Sequence, residues 1–505
     1  MTTKNTRLLR TIPSALAVGI LMYAPGGYAA DDDISISPEA ELTDHDSNVF
    51  KPDPDYGEQQ YDAEAQKKIY GGKYEVDTPR PLLELGRKQY QTGPLTPDST
   101  LLGENNLLAP AFAIYGDLRT AVAYNDFGQN ELGQVAMRLN LDIDAKLTAT
   151  ERLHFQLRPL DEDGRFSRVE FSGDTGLGEG GDSEFILNSD IDAAFFEGDL
   201  GSIVGGFTGK PSKFDLPFAA GLTPLFFQNG VWLDDAIVGT AFSVAARNSP
   251  RFDISNYDVS VFAGFDKVTN QGIRDGNNQV ADEDVNIYGV AGFFETRQGY
   301  AEIDYAFIDG RGEFNSLDHH SFSAAFSKRI GASFSTSARL LTSFGQDLDK
   351  AQRTADGTLL IWENSIITKR PSTFIPYINL FAGFDRPQSA ARSGSGVLKN
   401  IGINFESDGM TGFPLLDDSG HDSFGGALGL QNLFSLNQQL VFEIATVQLL
   451  DDNAPIGKAK DDQWAFGIRY QRPLNNSLIL RADAMHAWLE GDDVSGVRVE
   501  LRKKF

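Results

Sequence analysis

Residues 135–147 read VAMRLNLDIDAKL. Val135, Met137, Leu139, Leu141, Ile143, Ala145 and Leu147 are apolar, and Arg138, Asn140, Asp142, Asp144 and Lys146 between them are charged or polar. A period of two over so long a stretch belongs to a β-strand, because a helix repeats every 3.6 residues. The stretch is also longer than the five or six residues common in globular sheets, and it suits the tilted crossing of a hydrocarbon layer, which takes roughly 9–11 residues. One face then meets lipid and the other meets water. The fold turns on whether the chain repeats this pattern often enough to close on itself.

The 505-residue chain carries a formal charge of −27, no cysteine, 51 glycines, 36 phenylalanines and 15 tyrosines. After the first thirty residues no apolar run approaches the roughly 18 residues of a spanning helix, so any membrane crossing must be made by strands. So acidic a chain disfavours nucleic acid as a partner. The N-terminus has the form of a secretory leader. Lys4, Arg7 and Arg10 precede an apolar core from about Ile12 to Ala24, and GGYAA then supplies small residues for cleavage near Ala29 or Ala30. We take residues 1–30 as a signal peptide. Residues 31–80 are an acidic, aperiodic periplasmic arm, flexible by composition and available to a periplasmic partner. The leucine-rich segment 81–110 is expected at the periplasmic mouth or entering the lumen.

The repeated pattern begins at Ala111. In AFAIYGDLRTAVAYN, Phe112, Ile114, Leu118, Val122 and Tyr124 share one face, with Tyr115, Asp117 and Arg119 on the other. The stretch opened above follows, and after TATE comes RLHFQLR. Further strands are expected near 183–197, 202–210, 236–247, 256–266, 285–295, 299–309, 319–329, 333–345, 358–368, 374–385, 424–435, 439–450, 462–472, 477–489 and 494–505. With the first three they make about eighteen; sixteen would follow if the short, glycine-rich pieces near 202–210 and 424–435 dropped out. Short connections such as EGDLGS, TRQG, IGAS, SLNQ and PLNN alternate with long ones, the longest from Arg386 to Ser423. That alternation is the habit of bacterial barrels, with short periplasmic turns and longer external loops. The expected fold is all-β: a transmembrane, antiparallel, up-and-down β-barrel over 111–505 in the bacterial outer membrane.

Two features carry a resemblance. EGDLGSIVGGFTG, residues 197–209, resembles the turn and following strand of general bacterial outer-membrane porins, and the terminal Phe505 on an alternating strand resembles the C-terminal signature of such barrels. Length, strand number and acidic-aromatic texture also resemble the eighteen-stranded alginate-export family. The resemblance implies a passive diffusion channel for small hydrophilic solutes, and it implies that PSKFDLPFAAGLTPLFFQNGVWLDD, residues 211–235, is a loop folded into the pore. The alternative is an export or scaffold barrel working with a periplasmic partner through the N-terminal arm. Monomer and homotrimer are both open.

Inward positions of the expected strands carry both signs of charge. Arg119, Arg138, Arg339, Arg469 and Arg498 are the candidate pore-lining bases, and Lys210, Lys213, Asp215, Asp234 and Asp235 are the candidate charges of the constricting loop. Opposed charges across a narrow lumen set a transverse field that selects by size and polarity. No catalytic motif and no metal-ligand spacing is present. Asp318, His319 and His320 are the one suggestive polar group, and they lack a nucleophile. No bound cofactor is expected. Acidic loop residues at Asp275–Asp284, Asp417 and Asp418, Asp451 and Asp452, and Asp492 and Asp493 could take divalent cations from the lipopolysaccharide layer, and outer-membrane lipids are the standing neighbours.

Overall fold

The computed structural model describes residues 79–87 and 98–505, apart from 163, 174–182, 276–278, 282, 371–372, 395, 435–436, 451–458, 460 and 490. The expected signal peptide and nearly all of the acidic arm lie outside the described residues.

Eighteen strands form one closed antiparallel sheet. In chain order they are β1 (Ala111–Asp126), β2 (Glu131–Lys146), β3 (Arg152–Leu157, resumed at Arg165–Gly173), β4 (Ile191–Asp199), β5 (Pro217–Phe227) and β6 (Leu233–Ser249). Then follow β7 (Ile254–Asp266), β8 (Val285–Thr296), β9 (Gly299–Gly310), β10 (His319–Ile330), β11 (Phe334–Phe344) and β12 (Asp356–Ile366). The last six are β13 (Phe374–Arg386), β14 (Ser423–Phe434), β15 (Gln438–Leu449), β16 (Gln463–Pro473), β17 (Leu478–Trp488) and β18 (Val494–Lys504). Each strand pairs with its sequence neighbour, and β18 returns to pair with β1 from Asp126↔Ser495 to Asp117↔Lys504. Phe505 completes the seam, exchanging backbone hydrogen bonds of 2.9 and 3.0 Å with Gly116. Closure leaves no sheet edge to lipid along that seam, as a membrane sheet requires. Below the carboxyl terminus the same edge of β1 is covered by a short strand, Leu83–Gly86, paired with Ala111–Ile114.

The alternating faces are as expected. Trp362, Leu428, Ile444, Val497 and Val499 point outward and are exposed, and they form part of the lipid-facing band. The inner face divides in two. Toward the short-turn end it is polar. Toward the long-loop end of β6 to β13 it turns apolar, and Ile237, Ile287, Leu341 and Leu359 are fully buried there. What buries them comes from the connections: Trp232 of the β5–β6 tip and Leu398, Ile401 and Phe405 of the β13–β14 loop sit in one apolar cluster with them. Each such side chain contributes about 2 kcal/mol on burial, an upper figure, so the loop is held as part of the fold.

Three expectations need correction. Residues 202–210 are not a strand: Leu200–Thr208 is a helix, α1, capped by Asp199, whose carboxylate accepts the Ser202 amide at 2.6 Å. The stretch read as a pore-folding loop holds a wall strand instead, β5, so the count stays at eighteen while the assignment shifts. Alternation fails along PFAAGLTPLFF because its inner face, at Leu225 and Phe227, packs on the apolar cluster and has no need of polar residues. Finally, the expected strands include none between RLHFQLR and residue 183, yet β3 leaves the wall at Arg158 and rejoins β2 from Ser167↔Met137 to Gly173↔Leu132. The intervening residues fold inward, with Asp161 facing Arg138 at 3.3 Å.

Candidate functional site: a charged constriction between loop and wall

The inward positions of β16, β17, β18, β1 and β2 build the charged wall. Strand register sets its rows: Arg469, Asp483 and Arg498 are cross-strand partners, Arg481 opposes Glu500, and Arg502, Arg119 and Arg138 stand side by side. Three adjacent guanidiniums repel one another, so each needs an acid of its own. Arg502 reaches Asp117 at 2.6 Å, Arg119 reaches Glu500 at 2.9 and 2.7 Å, and Arg138 has Asp161. Arg138 is the least satisfied, because its buried Nε makes no hydrogen bond to the described residues.

Opposite this wall lies the β13–β14 loop, residues 387–422. It enters along β6, where Ala391–Arg392 pair parallel with Leu233–Asp234 and the Arg392 guanidinium donates to the Gly230 carbonyl. It then crosses to β15. There the Ile403 and Asn404 amides and the Asn404 side chain donate to the Glu443 carboxylate at 2.9, 2.9 and 2.8 Å, and Tyr377 donates to the same group. Past that anchor, Glu406 takes Arg469 at 2.6 Å, and Asp408 takes Arg498 at 3.0 Å and Arg119 beside it. The tip ends against β1, with Asn125 donating to the Thr411 carbonyl at 2.7 Å. Met410 fits over Ala121 and Ala136, whose small side chains leave room for it, and over Phe166 from the β3 excursion.

Burial alone would raise the Asp408 carboxyl, but the Arg498 and Arg119 guanidiniums outweigh it and hold that group well below the usual carboxylate range. Glu406 is buried too, and Arg469 holds it low in the same way. At Asp418 the pull of the Arg392 guanidinium is weaker than the effect of burial. Burial dominates there and pushes its carboxyl up to about 6, against the Gly396 amide that it accepts.

The loop tip and the β3 excursion both pack on the inner side of the charged wall. Water-facing charge remains on the wall from β2 to β4: His154 lies 2.8 Å from Asp144 and 3.4 Å from Asp142, Arg158 donates to Asp192 at 2.6 Å, and Arg152 to Glu197 at 2.5 Å. Carboxylates from the loop and guanidiniums from the wall thus meet within one section of the barrel.

No protein-family model matches the chain, and no curated protein matches it in sequence. Solved structures do match in fold. OccAB4 of Acinetobacter baumannii superimposes with a TM-score of 0.50 at 11% identity, over 78% of this chain and 98% of that one. The fold is that of a bacterial outer-membrane porin. Similar barrels include OccK11 (OpdR) of Pseudomonas aeruginosa, with a TM-score of 0.49, 11% identity, and 78% and 96% of the two chains covered. OccK2 (OpdF) of the same organism, in complex with glucuronate, gives 0.48, 10%, and 78% and 98%.

Within this porin fold the expected site residues divide. Arg119, Arg138, Arg469 and Arg498 come together on the charged wall. Arg339 lies elsewhere, buried in β11, where its Nε donates to Gln228 at 3.0 Å and its guanidinium pairs with Glu363 at 3.3 Å. Gln228 also donates to Asp304 at 2.6 Å and accepts from Ser323 at 2.7 Å, so Arg339 holds the β5–β6 tip in place. The five charges of the expected constricting loop are split between the two ends of a strand. Lys210, Lys213 and Asp215 are exposed at the short-turn end after α1. Asp234 and Asp235 begin β6 at the other end. Lys399 lies 3.6 Å from Asp234, and Asp235 accepts the Thr269 amide at 2.7 Å, so both anchor loops.

Asp318, His319 and His320 diverge. Asp318 accepts the Gly310 amide, His319 is buried against the Leu317 carbonyl and Asn270, and His320 stacks outward among Tyr305, Phe307 and Phe344. Asp417 and Asp418 accept hydrogen bonds inside the long loop, while Asp451 and Asp452 and part of the Asp275–Asp284 segment lie outside the described residues. Sequence reasoning missed Glu406 and Asp408. The signal available was length: connections beyond about 12–15 residues without their own secondary structure are most often functional, and Arg386 to Ser423 is far longer.

Proposed function

We propose that the protein is a passive outer-membrane channel that admits small hydrophilic solutes through the part of the lumen left open by the 387–422 loop and the β3 excursion, both docked on the charged wall. The observation that carries this reading is the bridge from Asp408 to Arg119 and Arg498, which fastens the loop tip to the inner wall and lines the remaining passage with both signs of charge. Size is set by how far the docked loop reaches. Orientation is set by the transverse field, in which a polar solute aligns its dipole as it passes. The loop is seated by apolar burial, so passage requires no opening step and no energy source.

Planar-bilayer recording of the full-length protein tests the reading. Steady single-channel conductance, with liposome swelling that falls as neutral sugars grow larger, is the expected result. Silence at every voltage and at neutral pH would overturn the channel and leave a structural barrel.

A further inference from the structure

Eight links join the strands on the short-turn side, and all are short except that between β4 and β5, where α1 intervenes. This helix, LGSIVGGFT, contains no charged residue. Its glycine face is locked. A side chain at Gly201 would come within 1.9 Å of the Phe214 carbonyl oxygen, and one at Gly206 within 2.6 Å of the Leu102 carbonyl oxygen, so both positions press directly on neighbouring backbone. The opposite face is apolar, with Leu200, Ile203, Val204 and Phe207 at the i, i+3, i+4 and i+7 positions of one stripe. No described residue covers it: Phe207 is 82% exposed, and Leu101 on the segment beneath the helix is 78% exposed. A protein that packs a glycine face this closely while leaving Phe207 in the open has fixed which way that stripe points.

The surface beside it shows what the stripe meets. Two residues before the helix, Gly198 pairs with Phe218 on the lipid-facing side of the wall. Phe218 stands in a row of outward rings, 5.7 Å from Phe196 and 6.0 Å from Phe242 between centroids. The chain thus enters α1 directly from the aromatic edge of the lipid-facing band at its short-turn rim. Directly after the helix come Lys210 and Lys213, both exposed. They are the basic residues of a stretch that otherwise carries only acids as far as Arg247.

We propose that α1 is an interfacial helix: its Ile203, Val204 and Phe207 stripe lies in the periplasmic leaflet of the outer membrane, and Lys210 and Lys213 meet the phosphates of that leaflet's phospholipids. A short apolar helix with flanking lysines seats its stripe about 5–10 Å into the boundary between headgroups and acyl chains. The lysines resembled pore charges in the sequence; their place at the short-turn end turns them toward headgroups. The inference depends on the barrel spanning a membrane and is independent of what passes through it.

The chain contains no cysteine, so single nitroxide labels report one position each. Full-length protein carrying Phe207→Cys is labelled and reconstituted in bilayers of phosphatidylethanolamine and phosphatidylglycerol. Val497→Cys serves as the lipid-facing reference and Gln298→Cys, in the β8–β9 turn, as the water-facing one. The expected result is an oxygen-to-nickel-chelate accessibility ratio at 207 several-fold above that at 298 and close to that at 497, with the same outcome for Val204→Cys. A ratio at 207 matching 298 would overturn the proposal. Exclusion of both reagents would also overturn it, since the stripe would then be covered by a second copy of the chain. Adding Lys210→Glu and Lys213→Glu should lower the ratio at 207 in these anionic bilayers and leave it unchanged in phosphatidylcholine; no change in either would remove the phosphate contact from the proposal.

Discussion

Asp408, on a loop between the thirteenth and fourteenth strands, lies 3.0 Å from Arg498 on the last strand. The two residues belong to different parts of the architecture, one to an inserted loop and one to the wall, and their pairing fastens a long connection to the inner face of the barrel. Arg119 of the first strand joins the same carboxylate, so the loop tip is tied across the barrel seam.

Asp408→Asn should make the channel wider, noisier and more anion-selective. Arg498 keeps Asp483 and Arg119 keeps Glu500, so the loss stays below the about 3–5 kcal/mol of a fully orphaned buried charge. Reversal potentials in a salt gradient should shift toward anions, and Arg119→Gln should shift them the other way. An unchanged reversal potential in both variants would place the selective section elsewhere.

The loop should dock more tightly as pH falls from 7 to 5. Asp418 has its folded-state pKa raised to about 6, above the roughly 3.9 of an unfolded aspartate, so the folded state takes up its proton first. Its contribution is therefore full below the unfolded value and is lost as pH rises through about 6. Asp408 has the opposite sign. Its pKa is depressed, so its contribution is present above the unfolded value and is lost only as pH falls through the folded one, below this window. Amide exchange across 387–422 should slow between pH 7 and pH 5 after correction for intrinsic rates. Asp418→Asn should flatten that dependence.

Gln228→Ala should loosen the tip between β5 and β6. The amide joins Asp304, Ser323 and Arg339, and its loss leaves buried polar groups without partners at about 1–3 kcal/mol. The expected readout is a lower midpoint in denaturant unfolding. A midpoint equal to that of the parent protein would mean that the apolar cluster alone seats the tip.

Leu428→Lys, on the outer face of β14, should destabilise the folded barrel by about 2–4 kcal/mol in bilayers if it lies near the midplane, because lipid offers the charge no solvation. Ser337→Lys, at an inward position of β11, should cost much less. Folding titrations in liposomes distinguish them.

Much of the wall was legible because its signal is local. Arg498 and Arg469 each sit between outward apolar neighbours, and Arg119 follows Leu118 in a strand whose apolar face is clear, so alternation assigns them to the inner side. Even the seam could be read, since Phe505 ends an alternating strand. Other elements were hidden by what they pack against. Residues 200–208 become a helix because Asp199 caps them and because Gly201, Gly205 and Gly206 allow neighbouring backbone to close on one face, a tertiary circumstance that overrides any strand reading of SIVGGF. Residues 217–227 lost their alternation because an apolar loop core, rather than water, lies on their inner side.

The sequence by itself therefore determined the closed sheet and which side of most strands faces inward, since lipid on one side and water on the other impose a period that each strand carries alone. Only the tertiary structure decided where the long loop docks. Its place is fixed by contacts between residues far apart in the chain: Asp408 with Arg119 and Arg498, Glu406 with Arg469, and Asn404 with Glu443. No local periodicity records these pairings, because they exist only once the barrel has closed and brought its first and last strands beside each other.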